Sequence, residues 1–338
     1  MSADSVHYIS CHPIDLAAKD IQPVKISGKS DVAEYAKDLL EKILTSDDQR
    51  DYAFESDTTE VRAAIIRMRG GSDGGGDAQV IANRLLREEK DAQKKVEHMG
   101  VELQKGSLFQ LVFQNDGSEM ILLTKVDSLL FLDEEDLKQH AGLPFDRRVL
   151  KTCLVKFKKN GDIASVTVSS KNNAEYWWKR FLELKEVTTD EINTTTAFHA
   201  IDGHLVNRLK KNFGSDYTYL RRNLVGYFQT QKKFNISTFV DTALGDYQPQ
   251  NKELNLEKLK SEIKELPKKK NFDASFDVVA DKVQSRFKRI VDLTEKIRLE
   301  VSEDAADVGA AIESKVVNGK KGVFIKSDKG YETFLKGS

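Results

Sequence analysis

The sequence predicts an α+β fold: an N-terminal strand and helix region with a central antiparallel sheet, then a helical region and a small C-terminal β-containing subdomain. Three observations carry this. Short, nearly continuous apolar runs joined by Asp-Gly and Asn-Gly turns fill residues 106–170, the pattern of hairpins in a sheet covered on both faces. Apolar residues recur at helical spacing before and after that block. Ile297, Leu299 and Val301 then alternate again as a strand. A chain of 338 residues is long for one core, so two domains are expected: an α+β domain over 1–170 and a helical domain with a C-terminal hairpin over 171–338.

In chain order, Val6–Ile14 alternates as a strand ending near Pro13, with Val24–Ile26 as its expected return partner. Ser30 is placed to cap a helix whose stripe is Val32, Tyr35, Ala36, Leu39 and Ile43, and Thr58 or Thr59 starts a second with Val61, Ile65 and Met68. Arg69–Asp77 is glycine-rich, but it follows a helix rather than a strand and lacks the Gly-Lys-Ser/Thr ending of a phosphate loop. A linker is expected there. Asp77 then leads a helix to about Met99, with Ile81, Leu85, Ala92 and Val96 inward and Arg84, Arg87, Glu88, Glu89, Lys90, Lys94 and Lys95 in solvent.

Leu108–Phe113 and Met120–Val126 form a hairpin through Asn115-Asp116-Gly117-Ser118, and Leu129–Leu132 is expected to extend the sheet. Asp133–Asp136 has no histidine or second carboxylate cluster at ligand spacing, so it is read as a solvated acidic cap and no metal site is expected. Thr152–Phe157 and Ile163–Val168 make a further hairpin through Lys159-Asn160-Gly161-Asp162, where Asn-Gly suits a type I′ turn with positive φ at both centres. Asn172 or Asn173 caps a helix through Tyr176, Trp177, Trp178, Phe181 and Leu184, and Thr188 with Glu191 offers a capping box for the next. Phe198, Ile201, Leu205 and Leu209 line one later helix, and Tyr217, Leu220, Leu224 and Phe228 another. Residues 236–281 read as short helices broken near Pro249 and Pro267. A small helix near 305–312 and a last hairpin over 316–334, with Gly319 and Gly330 in its turns, complete the chain.

Several functions are disfavoured by composition. A net charge of −1 and a pI near 6.6 do not suit a protein coated in positive charge, so any nucleic-acid contact must come from a patch. Two distant cysteines, Cys11 and Cys153, support neither a disulfide framework nor a cysteine-rich zinc site. No apolar run approaches the roughly 18 residues of a membrane span, and Met1–Asp20 lacks a leader pattern, which points to the cytoplasm and away from a membrane partner. No Gly-x-Ser-x-Gly elbow occurs. Glu183-Leu184-Lys185 has the Glu-x-Lys spacing of a magnesium nuclease, yet it continues a helical pattern rather than lying on a strand. His199 and His204 are about 140° apart around a helix, so they are not read as paired zinc ligands. Trp177 and Trp178 are adjacent and point different ways, which suggests that one anchors a core while the other meets a partner or a base. No catalytic residue, cofactor or metal is therefore assigned.

Basic residues are locally concentrated. Lys156, Lys158, Lys159, Lys179 and Arg180 lie in the central block, and Arg208, Lys210, Lys211, Arg221 and Arg222 follow on the later helices. These ten are the candidate contacts to double-stranded DNA, carried by phosphate neutralisation and so largely indifferent to sequence. The alternative is a protein-interaction accessory of DNA-processing or anti-phage defence machinery, in which the aromatic helices recruit another protein and the charge is incidental.

The early strand ending at His12, the Tyr52-Ala53-Phe54 segment between two amphipathic helices, the Lys105-Gly106-Ser107-Leu108 strand entry, the Tyr176–Leu184 helix and the terminal hairpin together resemble the bacterial nucleoid-associated protein family, 37-kDa class. The resemblance covers most of the chain as a distributed pattern. It implies a cytoplasmic, nucleoid-located, non-enzymatic, DNA-associated protein acting as a homodimer.

Overall fold

A computed structural model describes residues 5–26, 31–70, 74–100, 103, 105–145, 150–170, 174–283, 288–302 and 311–335. The chain forms two compact units, Met1–Thr189 with Phe272–Phe276, and Asp190–Asn271 with Asp277–Ser338. The first is built on one antiparallel seven-stranded sheet. Its strands are β1 (Ser5–Ile14), β2 (Arg50–Phe54), β3 (Gly106–Asn115), β4 (Ser118–Asp127), β7 (Leu150–Phe157), β8 (Ile163–Ser170) and β9 (Leu184–Glu186), ordered β1-β3-β4-β7-β8-β2-β9. Two further strands, β5 (Leu129–Leu132) and β6 (Gln139–Gly142), pair only with each other.

Both sheet faces are covered, as the unbroken apolar runs of β3 and β4 require. One face packs Phe109, Leu111, Phe113 and Leu122 against Tyr35, Ala36, Leu39 and Ile43 of α1 (Asp31–Leu44). Leu108, Val112, Ile121, Leu123, Cys153 and Val155 on the other meet α2 (Glu60–Gly70) and α3 (Gly74–Val96) through Ile65, Met68, Ile81 and Leu85. Successive residues of a strand point to opposite faces, so each strand feeds both cores. Both cysteines are free and buried, and burial pushes the Cys11 thiol up to about 11 and the Cys153 thiol up to about 12, which keeps them protonated.

Turn chemistry separates the hairpins. Asp116 and Gly117 have φ of 49° and 66°, so the β3–β4 turn has the positive φ pair of type I′. At the β7–β8 turn only Gly161 is left-handed, at φ 95°, and the expected type I′ geometry gives way to a longer turn with a register shift between Lys156 and Phe157. The Gly161 N–H donates to the Lys158 carbonyl at 2.9 Å, and the Lys158 N–H to the Asp162 carbonyl at 2.8 Å. The Asn160 side chain spans the same turn, donating to the Asp162 carboxylate at 2.7 Å.

Several expectations are corrected. Val24–Ile26 is irregular and gives β1 one hydrogen bond, from the Val24 N–H to the Cys11 carbonyl. Gly74–Asp77, expected as linker, form the first turn of α3. Leu129–Leu132 leaves the main sheet, because Ser128 turns its N–H to the Lys105 carbonyl at 2.8 Å and β5 then pairs with β6. The Trp177 segment is a short π-helix, Tyr176–Phe181, and both tryptophans are buried, Trp177 against Phe181 and Trp178 against Tyr52. This segment and β9 close the core of the first unit, which is why compactness divides the chain after Thr189 rather than after residue 170. The expected caps Ser30, Asn172 and Asn173 lie outside the described residues.

The second unit pairs α4 (Asp190–Leu209) with α5 (Gly214–Thr230). Phe198, Ile201, Leu205 and Leu209 are buried as their spacing predicts, as are Leu220, Leu224 and Phe228, and Phe198 meets Phe228 edge-on at 5.4 Å. Asn235 caps α6 (Ile236–Ala243) by accepting from the Thr238 N–H, and Asn255 caps α7 (Leu256–Lys264) in the same way from Lys258. Pro267 sits in the first turn of α8 (Leu266–Lys270), which Asn271 ends in the left-handed region. Two short strands, β10 (Lys233–Asn235) and β11 (Ser275–Asp277), flank α6–α8 in the sequence, and after them come two hairpins, β12 (Lys288–Thr294) with β13 (Ile297–Ser302) and β14 (Ile312–Val317) with β15 (Lys320–Ile325), and a helix over Asp328–Leu335. Gly330, expected in a turn, lies in that helix; the helix expected near 305–312 falls almost wholly outside the described residues.

Candidate functional site

The ten basic candidates divide between the units, five in each. In the first, Lys158 and Lys159 project from the β7–β8 turn and are exposed, while Lys156 is half-buried in β7 between Met120 and Ser165. None of the three has an ion pair among the described residues. Lys179 is exposed, 3.8 Å from Glu175 and 5.8 Å above the Trp178 ring. The carbonyl of Arg180 accepts from Arg84 at 2.6 Å, part of a cap in which Arg84 also donates to the Phe181 carbonyl. The charge of Arg84 predicts a place in solvent, but it is mostly buried by this role and by its pairing with Glu60 and Glu183.

In the second unit two of the five are already neutralised. Arg208 pairs with Glu262 at 2.6 Å and Arg221 with Asp202 at 2.9 Å, the latter joining α5 to α4. Lys210, Lys211 and Arg222 are exposed and carry no ion pair among the described residues. A groove of about 580 Å3 in the same unit is lined by Thr195, His199, Gly203, His204, Asn207 and Lys270, among others. Both histidines border it despite their angular separation. Burial lowers the His204 pKa, opposed by Glu262, whose carboxylate is 3.0 Å from Nε2.

A buried ionic cluster in the first unit is not legible in the sequence. Glu89, placed in solvent by its charge, is 1% exposed, as is Lys125 of the central strand β4. The Lys125 Nζ lies 2.7 Å from Glu89 Oε1, 3.0 Å from Oε2 and 3.3 Å from Asp127 Oδ1. Lys151 on β7 reaches Asp127 Oδ2 at 3.2 Å, and the Tyr176 hydroxyl donates to Glu89 at 3.3 Å. Two ammonium groups thus balance two carboxylates under a helix. Burial and the adjacent Lys125 lower the Lys151 pKa, with Asp127 opposing, whereas burial and the two carboxylates hold the Tyr176 phenol protonated. The available signals were an interruption of the α3 stripe at Leu85 plus four and a lysine inside an apolar strand. So enclosed a cluster has a structural role rather than access to a substrate.

The β5–β6 hairpin brings His140 across to the acidic turn, which the sequence left without a histidine partner. His140 Nε2 lies 3.0 Å from Asp136 Oδ2, and ligand atoms of Asp133, Asp136 and His140 fall within 4.8 Å of one another. Oxygen and imidazole donors of this kind could hold a divalent ion, and all three side chains are at the surface. Leu184–Glu186, expected as helix, is an edge strand beside β2. Glu183 is nonetheless committed elsewhere: its carboxylate accepts from the Val61 N–H at 3.1 Å at the start of α2 and pairs with Arg84. Among the described residues no helix is long and apolar enough to cross a membrane. The chain matches no protein-family model and no curated protein.

Proposed function

We propose that the protein binds double-stranded DNA without enzymatic action and largely without regard to sequence, as a nucleoid-associated, cytoplasmic protein and a homodimer. The observation that carries this reading is that five of the ten basic candidates are exposed and have no carboxylate partner among the described residues. Lys158 and Lys159 crown one hairpin, Lys210 and Lys211 follow the end of α4, and Arg222 stands on α5. In a chain of net charge −1 such groups gain most by meeting phosphate and releasing its counterions. Arg208 and Arg221 contribute less, because their partners must first be given up.

The test is binding to a random-sequence duplex over a salt series, with magnesium present and DNA length checked afterwards. Affinity should fall steeply with salt while the DNA stays intact. Substituting Lys210→Gln, Lys211→Gln and Arg222→Gln together should make the log-log salt slope shallower by about 3, equally for unrelated sequences. No binding at low salt would overturn the reading, and shortened DNA would replace it with a nuclease.

A second reading, a protein-interaction accessory of DNA-processing or anti-phage defence machinery, is favoured by β5, where Leu130 and Leu132 are 67% and 65% exposed. A pull-down after nuclease treatment should then return a partner with the wild-type chain and lose it with Leu130→Ser/Leu132→Ser.

A further inference from the structure

The C-terminal hairpins and helix have no buried side chain among the described residues from 293 to 335. A two-stranded ribbon with no core beneath it is marginal alone and gains stability from what it docks against. The β14–β15 ribbon pairs Ile312 with Ile325 through to Val317 with Lys320 and closes on Asn318-Gly319, whose φ values of 51° and 76° give the positive pair of a type I′ turn. Its tip is therefore well defined, and what it displays follows from strand alternation. Lys321 shares one face with its cross-strand partner Val316, and Lys320 shares the opposite face with Val317. The two valines are 67% and 63% exposed.

The ribbon's other cations are not equivalent to this pair. Lys315 lies over the Phe324 ring at 4.3 Å and pairs with Glu313 at 2.8 Å, and Lys326 pairs with the same carboxylate at 2.5 Å. Lys320 and Lys321 have no ion pair among the described residues.

We infer that the β14–β15 tip enters the major groove of duplex DNA, Lys320 and Lys321 each reaching the phosphates of one groove wall. This rests on the DNA-binding reading above and names a contact that the ten basic candidates do not include. A major groove about 12 Å wide admits a two-stranded ribbon, and inserting it tip-first turns its two faces to the two walls. One cation on each face matches one phosphate strand on each side. Val316 and Val317, which share those faces, then line the two walls beside the lysines, so neither face offers a donor or acceptor to base edges and the contact stays tolerant of sequence. Packing either face on a second copy of the chain would instead desolvate the lysine that face carries.

The test compares the wild-type chain, Lys320→Gln/Lys321→Gln, and a control with the same charge change elsewhere, Lys37→Gln/Lys95→Gln. Each is titrated with a short random-sequence duplex over a salt series, with far-UV circular dichroism and sedimentation run in parallel. The ribbon variant should keep its fold and mass and show a salt slope shallower by about 2, whereas the control keeps the wild-type slope. Wild-type protein should also shield guanine N7, which lies in the major groove, from dimethyl sulfate, and the ribbon variant should lose that protection. Strong wild-type binding with an unchanged slope and protection in the ribbon variant would overturn this inference alone. A changed slope without N7 protection in the wild type would overturn the groove placement. Affinity lost only together with a change in sedimenting mass would make the ribbon a subunit contact and overturn it too. Failure of the wild type to bind would remove both this inference and the reading beneath it.

Discussion

Replacing Glu89 by alanine is expected to destabilise the first unit by about 3–5 kcal/mol, the range for removing one partner of a buried ion pair. Lys125 would lose its pairing with Glu89 and still meet Asp127 at 3.3 Å, a carboxylate it already shares with Lys151, and the residue is 1% exposed, so water cannot take over. Tyr176 would also lose its acceptor. Glu89→Gln keeps the volume but leaves one uncompensated positive charge, and it should be nearly as costly. Removing both charges differs: Glu89→Leu/Lys125→Met replaces the pair with apolar side chains of similar size and should recover most of the loss. Urea unfolding can follow this by tryptophan emission, because the only two tryptophans, Trp177 and Trp178, lie in this unit. A double variant no more stable than the singles, in a cycle that shows no coupling, would remove the cluster from the account of stability.

Trp177→Ala should cost a similar amount, about 3–5 kcal/mol, through the cavity left by a fully buried indole. The ring packs on Phe181 at 4.8 Å, and its Nε1 donates to the Thr152 carbonyl at 3.3 Å, tying the π-helix to β7. Trp177→Phe keeps an aromatic ring and should lose much less. A core role also predicts that whatever fraction of Trp177→Ala stays folded binds DNA as the wild type does, whereas a base-stacking platform would lose affinity without losing stability. Unfolding by circular dichroism at the wild-type urea midpoint would refute the core assignment.

These residues show where local sequence stops being informative. The α3 stripe is legible at Ile81, Leu85 and Ala92, yet Glu89 between them reads as solvent-facing because carboxylates are seldom buried without partners. Its partner, Lys125, lies 36 residues away on β4, and no local pattern announces that pairing. The geometry of an ordinary helix points Trp177 and Trp178 different ways, but this short π-helix is enclosed on more than one side and buries both. Among the ten basic candidates, exposure followed from charge at Lys158, Lys159, Lys210, Lys211 and Arg222, while the pairing of Arg208 with Glu262 across 54 residues did not.

The sequence by itself determined the α+β class, the hairpins centred on Gly117 and Gly161, the stripes of α1, α2, α4 and α5, and the coverage of both faces of β3 and β4. Each follows from interactions a few residues long: positive φ at a turn, a period of 3.6 or 2, an apolar run with no polar face. Only the tertiary structure decided that β5 leaves the sheet, that His140 reaches Asp136, that β9 is a strand and that Glu89 meets Lys125. Those outcomes depend on which distant segments share a surface. A buried charge is tolerated only where the fold supplies its counterion, and that supply is a property of strand order and register.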